Sequence, residues 1–314
     1  MATTTTTATT TAPPSLPTDK TLNPDPYASA LESLHQNGYA ILPASLFPSL
    51  DLPALRTAAT RLTDLARAGQ WPYIRTLPKQ FPPWPSTPEN GIWGVQHLLH
   101  PSNPSHLLFA RSYFSPELCI WVSKFIGCRE DELVMELYNM LVRPDRAFSL
   151  RWHRDDIPAS ATPQEELDRL ARPAGHTQWN LALYPDSSLV VIPGSHRRAR
   201  TDEERVADPY SPLPHQKVVE LKAGEVVFYN NNILHRGVYD PDKERLTLHG
   251  SMGSARAGQE RARNVLQHGV GEWVGKYDLS GFDEGMRERA ERMRDGLVRL
   301  GERSGEVEYF SKDE

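Results

Sequence analysis

The sequence predicts a mostly β fold with flanking helices, in which an antiparallel sheet of short strands folds into a barrel or jelly roll. Short apolar or alternating runs at 132 to 142, 177 to 184, 188 to 192, 216 to 221, 225 to 230 and 244 to 250 follow one another with little helical pattern between them, and such runs pair as an antiparallel sheet. Helix-period segments lie before and after this block, so the helices flank the sheet. The 314 residues, 39% of them hydrophobic, can bury a large core. The expected organisation is a disordered Thr/Pro-rich tail over 1–20 and a single domain over 21–314, with the barrel core at about 131–252.

Taken in order, residues 2 to 16 are nearly all Thr, Ala and Pro and hold no large aliphatic side chain before Leu16, which is the basis for the disordered tail. From Tyr27 to His35 apolar residues fall at helical spacing, and Asn37-Gly38 ends that helix before a short strand, Tyr39 to Leu42. Asp51 to Ala68 reads as a second helix. Residues 71 to 104, crowded with Pro, Trp and Gly, read as ordered loop whose aromatics line a substrate mouth or pack against the side of the barrel. Pro116 to Ile126 is a helix before the strand at 132 to 142. Ala159 to Ala171 reads as a short inserted helix begun by Thr162-Pro163-Gln164-Glu165. Beyond residue 252 the chain turns charged: Arg256, Arg261 and Arg263 fall on a short helix, and Phe282 to Leu300 on a longer one. Its Met286, Met293, Leu297 and Leu300 form a narrow apolar stripe suited to docking on the barrel or on another subunit.

The chemistry is concentrated in two stretches. In Trp152-His153-Arg154-Asp155-Asp156, His153 and Asp155 are two apart, so on extended backbone an imidazole and a carboxylate converge on one face. A second stretch, Gly224 to Gly237, is an apolar strand that delivers His235. Ten residues later, past the turn Asp240-Pro241-Asp242, comes Arg245. Alternation puts Leu246 and Leu248 on one face and Arg245, Thr247 and His249 on the other. An inward guanidinium cannot shed its charge and is costly to bury unless an anion meets it, and that anion reads as a cosubstrate carboxylate.

An H-x-D, a distant His and an Arg ten residues after it resemble the arrangement of the non-haem iron oxygenases that use 2-oxoglutarate, and more specifically the phytanoyl-CoA dioxygenase (PhyH) family. The resemblance covers most of the chain: the entry Gln36 to Pro43, the H-x-D, the strand Thr177 to Leu183, the turn Val191-Ile192-Pro193-Gly194-Ser195-His196, and the distal His and Arg. It implies a double-stranded β-helix, a cupin-like jelly roll. It implies that His153, Asp155 and His235 hold Fe(II), that 2-oxoglutarate pairs its far carboxylate with Arg245, and that O2 is consumed with release of succinate and CO2, ascorbate acting as a stimulant. Trp179 and Tyr138 are expected beside the cosubstrate, with Met140 and Glu136 on the same face as Tyr138. Because Asp155 is present, the position that halogenating relatives leave to chloride is filled, so the resemblance implies hydroxylation, desaturation or ring formation on a small molecule, as in specialised metabolism. The chain departs from a fixed family pattern at Pro173 to Gly175 and at the basic run Arg197-Arg198-Ala199-Arg200, which reads as a solvated loop or as a phosphate contact.

Other readings use the same residues. His153-Arg154-Asp155 also spells the start of a kinase catalytic loop, but that loop wants Asn where Ser160 stands. A zinc hydrolase or isomerase on a cupin-like barrel also takes two His and a carboxylate, yet gives Arg245 no purpose. A silent binding barrel would not need all four residues. Asp156 is the alternative carboxylate ligand, His249 reads as a hydrogen-bonded interior histidine, and His176, His196, His215 and His268 are expected to be exposed. The net charge of -5 gives no basic excess for nucleic acid, and no run approaches the roughly 20 apolar residues of a membrane span. Cys119 and Cys128 lie in or beside one helix, whose geometry would hold them about 13 Å apart, and read as free thiols. With neither a signal peptide nor a peroxisomal address in Ser311-Lys312-Asp313-Glu314, an intracellular, cytoplasmic location is expected.

Overall fold

The computed structural model describes residues 26–81, 84–173, 175–256, 259–266 and 269–303. The expected tail over 1–20, His268 and the terminal Ser311 to Glu314 lie outside the described residues. Helix α1 (Pro26–Asn37) leads into β1 (Tyr39–Leu42), and α2 (Leu52–Arg67) follows, its first turn capped by Asp51, whose carboxylate accepts the Ala54 amide at 3.0 Å. Gly38 ends α1 at φ 85°, where a side chain would strain the backbone, and a Cβ there would lie 2.6 Å from His196 Nδ1.

The stretch expected as loop, 71 to 104, is more regular than its composition suggests. It holds two short strands, β2 (Ile74–Thr76) and β3 (Ile92–Val95), which add to the edge of a larger sheet. Prolines flank the strands without interrupting them, so the ladder bonds survive. Two helices follow in sequence, α3 (His106–Tyr113), which the sequence does not predict, and α4 (Pro116–Ile126), closed by Gly127 in the left-handed region.

The sheet block runs β4 (Leu133–Val142), β5 (Phe148–Ser149), the inserted α5 (Pro163–Leu170), β6 (His176–Ala182), β7 (Asp186–Ile192), a one-turn α6 (Asp202–Val206), β8 (Lys217–Leu221), β9 (Val226–Tyr229), β10 (Leu234–Tyr239) and β11 (Leu246–Ser254). The single strand expected to deliver His235 is two: the chain turns at Asn230 to Ile233 and changes sheet, so β9 and β10 belong to different layers. One antiparallel sheet is ordered β1-β9-β6-β11-β4-β3-β2 and the other β5-β10-β7-β8. From β4 to β11 the chain passes repeatedly between the two sheets, which is the connectivity of a jelly roll. Last come α7 (Gln259–Leu266) and α8 (Glu284–Glu302).

Two apolar layers result. Between the sheets Tyr39, Ala182, Val227 and Tyr229 meet Leu189, Val191, Val219 and Leu221. Outside the larger sheet, α2, α3, α4 and α8 bury their apolar faces on it, and the α8 stripe of Ala290, Met293 and Leu297 docks on this side of the barrel. Cys119 and Cys128 are both free thiols. Among the described residues, no helix is long and apolar enough to cross a membrane.

The register across the larger sheet decides which side chains face inward. Asn139, His249, Asn180 and Val227 are aligned on neighbouring strands in one row, and Tyr138, Gly250, Trp179 and Phe228 in the next. Directly opposed residues share a face, so the second row points out into the helical layer while the first points between the sheets. Gly250 is the gap in that outer row: a Cβ there would stand 2.3 Å from Trp179 Cζ2 and 2.9 Å from Tyr138 Cδ2. Gly250→Ala is therefore expected to lower the unfolding free energy by about 1–3 kcal/mol through overpacking, read by urea denaturation. Gly275→Ala, whose Cβ would meet nothing within 4 Å, is the control expected to leave it within about 0.5 kcal/mol.

Candidate metal centre

The two ligand-bearing segments meet through their backbones. His153 N donates to His235 O at 3.0 Å and His235 N to His153 O at 3.1 Å, an isolated antiparallel bridge that puts both imidazoles on the same face, ring centroids 4.2 Å apart. Asp155 N donates to Asn231 O at 2.9 Å, which ties the segment to the turn before β10, and the two-residue alternation returns the carboxylate to that face.

The donor atoms are oriented from behind. His235 Nδ1 donates to Ile233 O at 2.8 Å, and His153 Nδ1 lies 2.9 Å from Arg151 O and 3.0 Å from Gln80 Nε2. At His235 the carbonyl only accepts, so Nδ1 carries the proton and Nε2 keeps its lone pair for the cavity, while at His153 the carbonyl and the Gln80 amide together hold the ring with Nε2 toward the cavity. Gln178 Nε2 donates to Asp155 Oδ2 at 2.8 Å, leaving Oδ1 as the oxygen both rings approach, 3.5 Å from His153 Nε2 and 3.8 Å from His235 Nε2. The donor atoms of His153, Asp155 and His235 all lie within 4.8 Å of one another, and among the described residues they form the one His/Cys/Asp/Glu group with metal-binding spacing. Two imidazoles and one carboxylate with their other atoms engaged suit a first-row divalent ion, with one side left open. Asp156, the alternative ligand, instead accepts from Asn231 Nδ2.

These side chains open into a cavity of about 220 Å³ between the sheets. Arg245 reaches its wall, fully buried, with Nε 3.3 Å from Asp186 Oδ2 and the guanidinium carbon 4.3 Å above the Tyr239 ring. Burial favours the neutral guanidine, but Asp186 and Tyr239, by charge and hydrogen bond together, outweigh it and hold Arg245 above its ordinary value. Burial likewise pushes Asp186 up, yet Arg245 and the hydroxyls of Thr247 and Ser188 keep it below the usual carboxylate range. Arg245 Nη1 is buried with no hydrogen-bond partner. Arg261, from α7, also lines the cavity and is paired with the buried Glu136 at 2.6 and 2.8 Å.

Trp179 and Tyr138, expected beside the cosubstrate, do not line the cavity. Both stand in the outward row of the sheet, Trp179 fully buried against Tyr113 and Phe228, and Tyr138 hydrogen-bonded to Ser112 at 2.8 Å. Met140 is in the same outer core, and Glu136 reaches the site only through Arg261. The inward positions are their neighbours Gln178 and Asn180 on β6 and Leu137 and Leu141 on β4. The signal for β6 was present, since amides on both sides of a Trp mark its other face as the polar one. Gln80, Arg75 and Asp186 gave no local signal.

Histidines also depart from expectation. His176 and His196 are buried, and among the described residues of that set only His215 is exposed. Arg200 is buried and Arg198, partly exposed, forks onto Glu204, so two of the three arginines of the basic run are held by internal carboxylates and Arg197 is exposed. His249 lines the cavity with Nδ1 2.9 Å from Asn180 Oδ1, and burial, aided by the Arg75 charge, pushes its pKa down to about 3.

Burial also lowers the pKa of His100, His106, His176 and His196. The unfolded chain takes up these protons near the ordinary value of about 6.5, while the fold takes them up only at lower pH. Stability of the metal-free protein is thus expected to be full above pH 6.5 or so and to fall as pH drops below it, before carboxylates titrate. The denaturation midpoint in urea, compared at pH 7.5 and 5.5, reads this directly, and a midpoint unchanged across that window contradicts it. His249→Gln should flatten the slope.

The fold and site agree with comparisons to known proteins. The model of the phytanoyl-CoA dioxygenase (PhyH) family matches residues 34–238, which include His153, Asp155 and His235 and end before Arg245. No curated protein matches the chain. Among solved structures, AviO1 from Streptomyces viridochromogenes Tue57 is similar over 76% of this chain and 98% of its own, at 19% identity and a TM-score of 0.51. EctD from S. alaskensis, crystallised with 2-oxoglutarate and 5-hydroxyectoine, is similar over 78% of this chain and 80% of its own, at 18% identity and a TM-score of 0.52. At such identities the structural likeness speaks for the fold, and the family match rests on the sequence itself. The chain belongs to the phytanoyl-CoA dioxygenase (PhyH) family of Fe(II)/2-oxoglutarate-dependent oxygenases.

Proposed function

We propose that His153, Asp155 and His235 bind Fe(II), that Arg245 receives the distal carboxylate of 2-oxoglutarate, and that the protein hydroxylates, desaturates or cyclises a small organic substrate. The observation that carries this reading is the buried, unpartnered Nη1 of Arg245 in the same cavity as the three donors. A guanidinium so placed has its Nε on Asp186, its face on Tyr239 and Nη1 still without a partner, a donor that a carboxylate would satisfy with a charged hydrogen bond. A hydrolytic site has no use for such a group.

Iron, 2-oxoglutarate and O2 would supply the oxidising chemistry, the 2-oxoglutarate leaving as succinate and CO2 while the iron is retained. The chain's own residues bind, orient and exclude water. Gln178 and the two carbonyls fix which atoms face the ion. Tyr239 and Asp186 hold Arg245 in place. Neutral His249 offers the cavity no charge that would compete for the cosubstrate. Phe81, Trp84, Trp93 and Leu150 form an apolar wall near His153, where a substrate carbon can approach without bringing bulk water.

Two variants test the assignment. His235→Ala is expected to reduce Fe(II)-dependent succinate formation to background, and unchanged turnover would remove it from the ligand set. Arg245→Gln is expected to raise the KM for 2-oxoglutarate by about 10–100-fold, the worth of one charged hydrogen bond, with metal affinity retained. Because that change strands Asp186, the double variant Arg245→Gln/Asp186→Asn separates cosubstrate binding from folding. A wild-type KM in the double variant would overturn the role of Arg245.

A further inference from the structure

Between the two ligands of the H-x-D stands Arg154, which alternation turns away from the cavity. It is among the most buried side chains in the protein. Its guanidinium meets main-chain oxygens on two other segments: Nη1 donates to Ser195 O at 2.9 Å and to Asn232 O, and Nη2 donates to Arg198 O at 3.0 Å. Its Nε lies 3.6 Å from Oε1 of Glu166, a fully buried carboxylate on α5. Glu166 also holds the Arg200 side chain, the Arg200 amide at 2.7 Å and Arg205 at 2.6 Å.

Each carbonyl that Arg154 grips belongs to a segment that fixes a ligand. Ser195, in the turn after β7, accepts the Leu234 amide on its hydroxyl at 2.7 Å, one residue before His235. Asn232 lies in the turn between β9 and β10 that brings His235 across. One planar group with five donors therefore ties residues 153–155, 195–198 and 232–235 together from behind the site. Lysine, with a single point of attachment, cannot reproduce that fork.

We propose that Arg154 is a positioning residue of the metal centre: locked by Glu166, it sets the relative placement of the H-x-D and of His235, and so couples the inserted helix α5 to metal affinity. The inference rests on the reading of His153, Asp155 and His235 as metal ligands. A purely structural role predicts something different. Arg205 shares Glu166 and otherwise donates to Ala161 O at 2.8 Å, with no bond to either ligand segment. If the cluster served only folding, Arg154 and Arg205 variants would lose stability and keep the same metal affinity.

The test is titration of the purified metal-free protein with Co(II), read by visible absorption, beside urea denaturation of the same samples. Arg154→Met and Arg154→Lys are expected to weaken Co(II) binding by about 10–100-fold, the usual effect of losing an outer partner of a metal site, and to alter the absorption envelope. Arg205→Met is expected to lower stability and to leave Co(II) affinity within about twofold of wild type. Arg154→Lys keeps a charge beside Glu166 and removes only the fork, so it decides the matter where Arg154→Met does not fold. Wild-type Co(II) affinity in Arg154→Lys, or an equal loss in Arg205→Met, overturns the proposal. Wild-type binding that His235→Ala fails to abolish overturns instead the ligand assignment on which it rests.

Discussion

The two reciprocal amide bonds between His153 and His235 are the constraint on which the site depends. Residues exchanging both bonds in an antiparallel pair face the same way, so one pairing aligns two imidazoles from segments far apart in sequence. Asp155, two residues on, shares that face without further provision. A slip of one residue would turn His235 to the opposite side and leave the carboxylate with a single imidazole. The pairing exists because the chain crosses between sheets at Asn230 to Ile233, which seats β10 beside β7 and against the H-x-D segment.

A cavity built this way has to hold charge in a poorly hydrated place. Each cavity cation for which a carboxylate partner is seen meets it at the cavity's edge or behind it: Arg245 with Asp186, Arg261 with Glu136. Both carboxylates are themselves buried and stay ionised because the cation is there. Removing either member leaves the other as an uncompensated buried charge, a loss of about 3–5 kcal/mol, larger than most packing defects. The pairs therefore hold the wall in one arrangement, and the side of Arg245 left unmet is a property of the folded protein rather than of a mobile side chain.

Much of this was legible in the sequence and some of it was not, for physical reasons. Spacing located His153, Asp155, His235 and Arg245 because each depends on local alternation along a single strand. Alternation failed on β4, where Leu133 to Val142 is apolar on both faces, and only the register with β11 shows that Tyr138 and Met140 point outward. Trp179 invites a functional reading by its size, yet it is the residue that fills the space above Gly250. Histidines beside turns look exposed until distant elements cover them, as α1 covers His196, whose Nε2 donates to His35 O at 3.0 Å. Buried arginines of the run at 197 to 200 are hidden in the same way, because Glu166 lies on a helix 34 residues earlier.

The partners behind the two imidazoles matter for what the site can attract. Both Nδ1 atoms meet neutral carbonyls rather than carboxylates, so the donor set carries one negative charge, that of Asp155. A divalent ion held there keeps a net positive charge, which favours a chelating anion over neutral donors at the open positions. A dicarboxylate can answer both demands at once, one end at the ion and the other at the unmet nitrogen of Arg245. On the proposed assignment the cosubstrate is selected by charge placed at two points of a preformed cavity, and the remaining apolar wall is left to choose the substrate.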